Sequence, residues 1–240
     1  MKVEVWSDYV CPFCYIGKRR FEEALAQLPF QNQVEVVFKS YQLDSRTPKD
    51  VPYGVNEMLS KKYGMSIEQA KQANASVAAQ AEQVGLTYSD ERVVTNTFDA
   101  HRLSHFAAAH GKAKEMTERL LYAYFTEAKH IGDVEVLADL AADVGLNRDE
   151  ALAALNADAY ADEVRADEQE DAELGIRGVP FFVVDRKYGI SGAQPTSVFV
   201  EALTKAWNEI RPTLTVLGDA DSSDAACVDG SCAVPADKQS

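Results

Sequence analysis

A chain of 240 residues can bury a sizeable core, either as one large domain or as a domain carrying an insertion. With 46% hydrophobic residues and a formal net charge of −14, its composition is that of a soluble globular protein. The charge argues against nucleic acid or an anionic membrane surface as partner, and no apolar run approaches the length that spans a bilayer.

Met1 to Trp6 runs directly into a strand pattern with no secretory signal, so a cytoplasmic location is expected. The four cysteines fall into two close pairs, Cys11/Cys14 and Cys227/Cys232. That is too sparse for a disulfide scaffold, and in a cytosolic protein such spacing points to redox chemistry or metal.

In chain order, the strand Lys2–Trp6 is followed by Cys11-Pro12-Phe13-Cys14 and a helical pattern from Tyr15 to Leu28, ended by Pro29. Val34 to Phe38 is a second strand, completing a right-handed βαβ crossover. Asp44 to Gly54, with Pro48 and Pro52, reads as a linker. From there to about Gly175 the pattern is helical. A capping box at Ser66 and Gln69 opens a helix to Val84, and further helices are expected over Thr97–His110, Lys112–Lys129 and Val134–Val144. Two more follow, divided near Asn156 to Asp158. Strand character returns at Val179–Asp185 and Tyr188–Ser191, and a last helix spans Thr196–Ile210. Gly218 to Ala226 reads as a flexible acidic arm.

The first thiol pair sits where a strand hands over to a helix. Cys11 takes the N-cap place, and Pro12 the first helical position, where its missing N–H costs nothing. Free backbone N–H groups and the positive end of the helix dipole face the first sulfur and favour its thiolate. Cys11 is therefore the expected nucleophile and Cys14 the resolving thiol. Lys18, on the same helix face, is expected to add a small bias toward thiolate.

These features resemble the thioredoxin-like DsbA family. Ser7-Asp8-Tyr9-Val10-Cys11-Pro12-Phe13-Cys14-Tyr15-Ile16-Gly17-Lys18 is similar to the opening of its FrnE-like cytosolic branch. Asn96-Thr97, Ala100-His101-Arg102 and Leu174-Gly175-Ile176-Arg177-Gly178-Val179-Pro180-Phe181-Phe182 match that branch too. The resemblance covers residues 1 to about 210.

It implies an α/β, thioredoxin-like fold (βαβ plus ββα) with a large all-helical insertion. Residues 1–44 and 176–212 would form the thioredoxin-like domain, 45–175 the insertion, and 213–240 the C-terminal arm. It further implies a cis-proline at Pro180 facing the thiols, with Val179 offering backbone groups to an extended substrate. Phe13 departs from the strongly oxidising periplasmic members, which carry His there, and a milder couple is expected. The implied activity is that of a protein-disulfide reductase or isomerase. It needs no metal or organic cofactor and acts on disulfide-bearing or unfolded polypeptides, with an external thiol system to recycle the pair.

Tyr9, Phe13, Trp6, Tyr15 and Phe181 are candidates for an apolar dock beside the thiols, with core packing as the competing reading. His101 and His105 have zinc-ligand spacing, but Arg102 stands where a metalloprotease needs Glu. They are read as helix-surface histidines, and the resemblance brings the Asn96–Arg102 turn, and so His101, toward the substrate site. Cys227 and Cys232 are read first as an auxiliary redox pair exchanging with Cys11–Cys14. Idle thiols and a four-thiolate zinc site are the alternatives. Two other function classes compete: a glutathione-dependent transferase or isomerase for small molecules, disfavoured because its relatives lack the second thiol, and a holdase that would work without thiols.

Overall fold

The computed structural model describes residues 1–210; Cys227, Cys232 and the arm expected from residue 213 lie outside the described residues. Strand β1 (Lys2–Ser7) is followed by helix α1 (Pro12–Ala26) and strand β2 (Glu35–Ser40). Strands β3 (Phe181–Val184) and β4 (Tyr188–Ser191) form a hairpin after the helical stretch, and α9 (Thr196–Ile210) completes the set. The sheet order is β2-β1-β3-β4, with β1 parallel to β2 and antiparallel to β3. β1 is therefore central, pairing Val5 with Phe38 on one side and Phe182 on the other. Its alternating side chains serve two faces. Val3 and Val5 pack with Phe21, Phe182, Phe199 and Leu203 under α1 and α9. Trp6 faces the other way, with Val183 and Ile176.

Seven helices lie between β2 and β3: α2 (Val55–Tyr63), α3 (Ile67–Glu82), α4 (Phe98–Ala109), α5 (Ala113–Phe125), α6 (Val134–Asp143), α7 (Arg148–Asn156) and α8 (Ala161–Glu173). The Ser66–Gln69 capping box that opens α3 and the Asn147 cap of α7 form as their sequences predict. The helical pattern expected after Gly54 does not single out α2 as an element of its own. Its residues bury nothing fully, so it lacks a clear apolar stripe; Gly54 and Gly64 delimit it, the latter at φ 65°. Leu103, Phe106, Leu120, Leu121, Phe125 and Leu137 build the core of this block.

Two attachments tie the block to the sheet. Tyr15 and Ile16 of α1 belong to the helical core, while Phe21 and Ala24 of the same helix belong to the sheet core. Asp167 of α8 is the second. Its carboxylate accepts from Lys39 Nζ at 2.8 Å and the Ser40 N–H at 2.9 Å, and lies 3.1 Å from His105 Nε2. Its carbonyl accepts from Trp6 Nε1 at 3.1 Å. Burial pushes this acid up, but the hydrogen bonds outweigh it and hold Asp167 below the usual carboxylate range.

Gly17 in α1 lies where the loop before β3 comes closest. A Cβ there would stand 2.9 Å from Pro180 Cγ and 3.4 Å from Ala193 Cβ. Gly17→Ala gains about 1 kcal/mol of helix propensity but incurs about 1–3 kcal/mol of overpacking against a ring that cannot swing away. We expect net destabilisation in urea unfolding; a more stable variant would refute the tight contact.

Asp171 gives a pH-dependent test. Burial first, then the charges of Glu168 and Asp167, push its carboxyl up to about 6. The unfolded group titrates near ~3.9, so the folded state holds this proton more tightly, and that stabilisation is lost as pH rises toward 6. Asp171→Asn should therefore raise the urea midpoint at neutral pH, with the gain shrinking as pH falls toward the ordinary carboxylate range. A gain independent of pH would show that ionisation is not its cause.

Candidate active site

The first turn of α1 carries the thiol pair. Cys11 is its N-cap, extended at φ −85° and ψ 111°, with Pro12 at the first helical position. The Cys11 N–H donates to Asp8 O at 3.1 Å, and the Cys14 N–H to Cys11 O at 3.0 Å, which fixes the turn. Both cysteines are free thiols and both are buried. Facing them is the loop before β3, where the Val179–Pro180 bond is cis. Cys11 Sγ donates to the Val179 carbonyl at 3.5 Å, a contact between residues 168 apart in sequence. The Pro180 carbonyl is held by the Gly192 N–H at 2.8 Å. The structure thus brings together Cys11, Cys14, Val179 and Pro180.

The two sulfurs are not equivalent. Burial pushes the Cys14 thiol well up, and its hydrogen bond with Cys11 and the charge on Cys11 push it further. Hydrogen bonds from the Ser7 side chain and the Asp8 backbone oppose this without cancelling it. Cys14 therefore keeps its proton while Cys11, at the helix start, is the sulfur positioned to attack.

Several expected neighbours lie elsewhere. Phe13 is 40% exposed beside the pair, and Val179 is half-buried, so both can meet a ligand. Tyr9 does not line a groove: it is buried and its hydroxyl pairs with Ser104 Oγ. Trp6 and Tyr15 are buried as well, because each packs in a core and hydrogen-bonds across the helical block. Phe181 is half-buried against the Trp6 cluster.

His101 is an interior residue, not a helix-surface histidine or a groove residue, because α4 turns it inward toward Asp8. His105 is also turned in, toward Ser40 and Asp167. The two histidines thus face different carboxylates. Lys18 does not bias the thiols as expected: its Nζ is bound by Glu118 at 2.6 Å and Glu22 at 2.7 Å, which spend its charge on the helix interface.

Four residues at the site carried no role in the sequence reading. Ser7 and Asp8 bear on Cys14, and Asp8 Oδ2 accepts from the Leu43 N–H at 2.8 Å. Tyr88 donates its hydroxyl to Pro12 O at 2.8 Å. Tyr41 packs on the Trp6 cluster alongside Val179 and Phe181, and burial, then the charges of Asp171, Asp8 and Cys11, push its hydroxyl up. Ser7 and Asp8 adjoin the motif and could have been suspected. Tyr88 and Tyr41 come from distant segments with no local signal.

Residues 2–204 match the family model of the DSBA-like thioredoxin domain. The crystal structure of a probable DsbA oxidoreductase from Streptomyces coelicolor is similar, with 48% identity, TM-score 0.83, and 98% of this chain and 99% of that one covered. The uncharacterised protein YwbO of Bacillus subtilis is 33% identical over 206 residues, covering 84% of this chain and 95% of that protein. The cytosolic disulfide reductase DsbM of Pseudomonas aeruginosa shares the fold at TM-score 0.59 and 17% identity, over 87% of this chain and 100% of that one. A thiol pair at the head of α1, set against Val179–Pro180 on a four-stranded sheet, agrees with these matches, and the chain belongs to the DsbA-like thioredoxin-domain oxidoreductases.

Proposed function

We propose that the protein is a protein-disulfide oxidoreductase of the reductase or isomerase type, acting on disulfide-bearing or unfolded polypeptides in the cytosol. The observation that carries this reading is the inequivalent thiol pair, with Cys11 Sγ against the Val179 carbonyl and Cys14 buried behind it with its proton. The Cys11 thiolate attacks a client disulfide; the Cys11–client bond forms as the client S–S bond breaks, and the leaving sulfur takes a proton. Cys14 then loses its proton and attacks Cys11 Sγ, releasing the second client thiol and closing Cys11–Cys14. The client gains the two electrons that the pair gives up. An external thiol system returns them.

Two thiols are needed for that second step, which supports dithiol chemistry over a single-nucleophile transferase or isomerase of small molecules. Cytosolic action is supported by the sparse cysteines, which provide no disulfide scaffold. Cys227 and Cys232 remain, on their spacing alone, an auxiliary pair for exchange with Cys11–Cys14. The backbone at Val179 and the exposed Phe13 ring would meet an extended client segment.

A Cys14→Ser variant should accumulate clients joined to Cys11 by disulfides that a reductant releases. Recovery of no such adduct under non-reducing conditions would count decisively against the reading.

Phe13→His tests the expected mild couple. An imidazolium beside Cys11 stabilises the thiolate and hence the reduced form, so the equilibrium with glutathione should shift toward the dithiol by at least ~30 mV, about tenfold in the constant. An unchanged constant would show that the side chain at this place does not set the potential.

A further inference from the structure

The chain carries a formal net charge of −14, so its mean field repels acidic peptides and draws basic ones. Its arginines are nearly all answered. Among the described residues each meets a carboxylate at 3.5 Å or less, except Arg20, Arg92 and Arg177. All three lie on segments that meet the thiol site. Arg20 is on α1 itself, Arg177 leads into Val179–Pro180, and Arg92 lies over Tyr88, whose hydroxyl holds Pro12 O.

Arg177 stands two residues before Val179, whose carbonyl meets Cys11 Sγ at 3.5 Å. It is exposed, and its side chain has no hydrogen-bond or ion-pair partner among the described residues. Arg20 is half-buried one turn after Gly17, and its Nη1 donates to the Ala193 carbonyl at 2.6 Å. Ala193 closes on Gly17, where an added Cβ would lie 3.4 Å from it and 2.9 Å from Pro180 Cγ. The neighbouring Gly192 N–H holds the Pro180 carbonyl at 2.8 Å. Pro180 thus stands between the segments that carry the two cations. Glu23, three residues on from Arg20, does not answer its charge: its carboxylate accepts from Thr196 Oγ1 at 2.7 Å. Arg92 is different, because it is 3% exposed and packed on Tyr88 and Phe125, so it adds to the local field without touching a ligand.

We propose that Arg177 and Arg20 form a carboxylate-recognition site beside the thiols, which selects client disulfides whose cysteine is flanked by acidic residues. This role rests on the dithiol reading above. A guanidinium presents its donors in a planar fork that fits a carboxylate, and Arg177 has its whole fork free for one. Arg20 spends one donor on Ala193 and keeps the others. A client passing Val179 meets Arg177 before Pro180 and Arg20 beyond it. Recognition precedes the exchange and adds no covalent step to it.

The local and the mean field predict opposite orders of client. A net charge of −14 acting alone would favour a basic flank over a neutral one and a neutral one over an acidic one. Two unanswered guanidinium groups at the point of attack reverse that order, because they act at contact range, where salt and distance weaken them least.

The test uses the reduced full chain and disulfide peptides that differ only in the residues flanking the cysteine, which are Glu, Gln or Lys. Formation of the Cys11 mixed disulfide is followed in single turnovers at low and at high salt. The Glu peptide should react faster than the Gln peptide by roughly three- to tenfold at low ionic strength, and salt should shrink the advantage. Arg177→Gln should cut the Glu-to-Gln ratio by roughly two- to fivefold. Arg20→Gln added to it should bring the ratio to one or below, the order that the net charge sets. The ratio is read within each variant, so a general loss of folded or active protein cancels. Lys62→Gln removes an exposed, unpaired cation from α2 and should leave the ratio as it was. Equal rates for all the peptides, a preference for Lys, or a Glu preference that survives both arginine substitutions overturns the recognition site and leaves the dithiol reading standing. A protein that forms no mixed disulfide with any of the peptides overturns the dithiol reading, and the recognition site with it.

Discussion

The contact between the first turns of α1 and the loop before β3 is the constraint on which the rest depends. It places Cys11 Sγ against the Val179 carbonyl and closes Pro180 onto Gly17, between segments that the whole helical block separates in the chain. Close approach at Gly17 is possible because there is no Cβ. Central β1 carries Cys11 on its outgoing turn and pairs with β3, which starts directly after Pro180. The active site is therefore built where two neighbouring strands begin or end, and the sheet's register sets its dimensions.

Helix α1 also explains why the helical block and the sheet form a single compact unit over Met1–Ile210. One of its faces is buried in each core. Lys18, Arg19, Tyr15 and Glu118 meet at the seam, and Lys39 and Asp167 at another. Such pairs give modest net stability, yet Lys18 and Asp167 are themselves buried, so removing a partner leaves an uncompensated charge in the interior. Their effect is specificity of placement. The same economy of charge leaves the thiolate dependent on the helix start and its local hydrogen bonds, since Lys18 is already engaged.

A small polar interior between the sheet and the helical block belongs to this arrangement. β1 ends in Ser7, α4 contributes His101 and His105, and β2 contributes Lys39 and Ser40. A thioredoxin-like unit alone could not assemble this set, because two of its members come from the helical block. The block thereby completes this polar interior as well as covering the sheet.

Much of this was legible in sequence because it is local. The βαβ crossover, the thiol pair at a helix start, the capping box at Ser66, the N-cap at Asn147 and the hairpin before α9 all follow from short-range pattern, turn chemistry and period. Within the helical stretch α2 has no stripe of its own to mark its bounds, because it buries too little. What only the tertiary structure decided are the facts that join distant segments. His101 is turned inward, Lys18 is claimed by Glu118, and Tyr9 is interior. Tyr88 reaches Pro12, and Asp8 faces His101. A side chain's periodicity tells which face of its helix it occupies. Which partner waits on that face, and whether a charge finds a counter-charge or a thiol, depends on how the elements pack. Sequence alone therefore determined the thiol pair and the helix it heads, while packing decided which groups surround the two sulfurs.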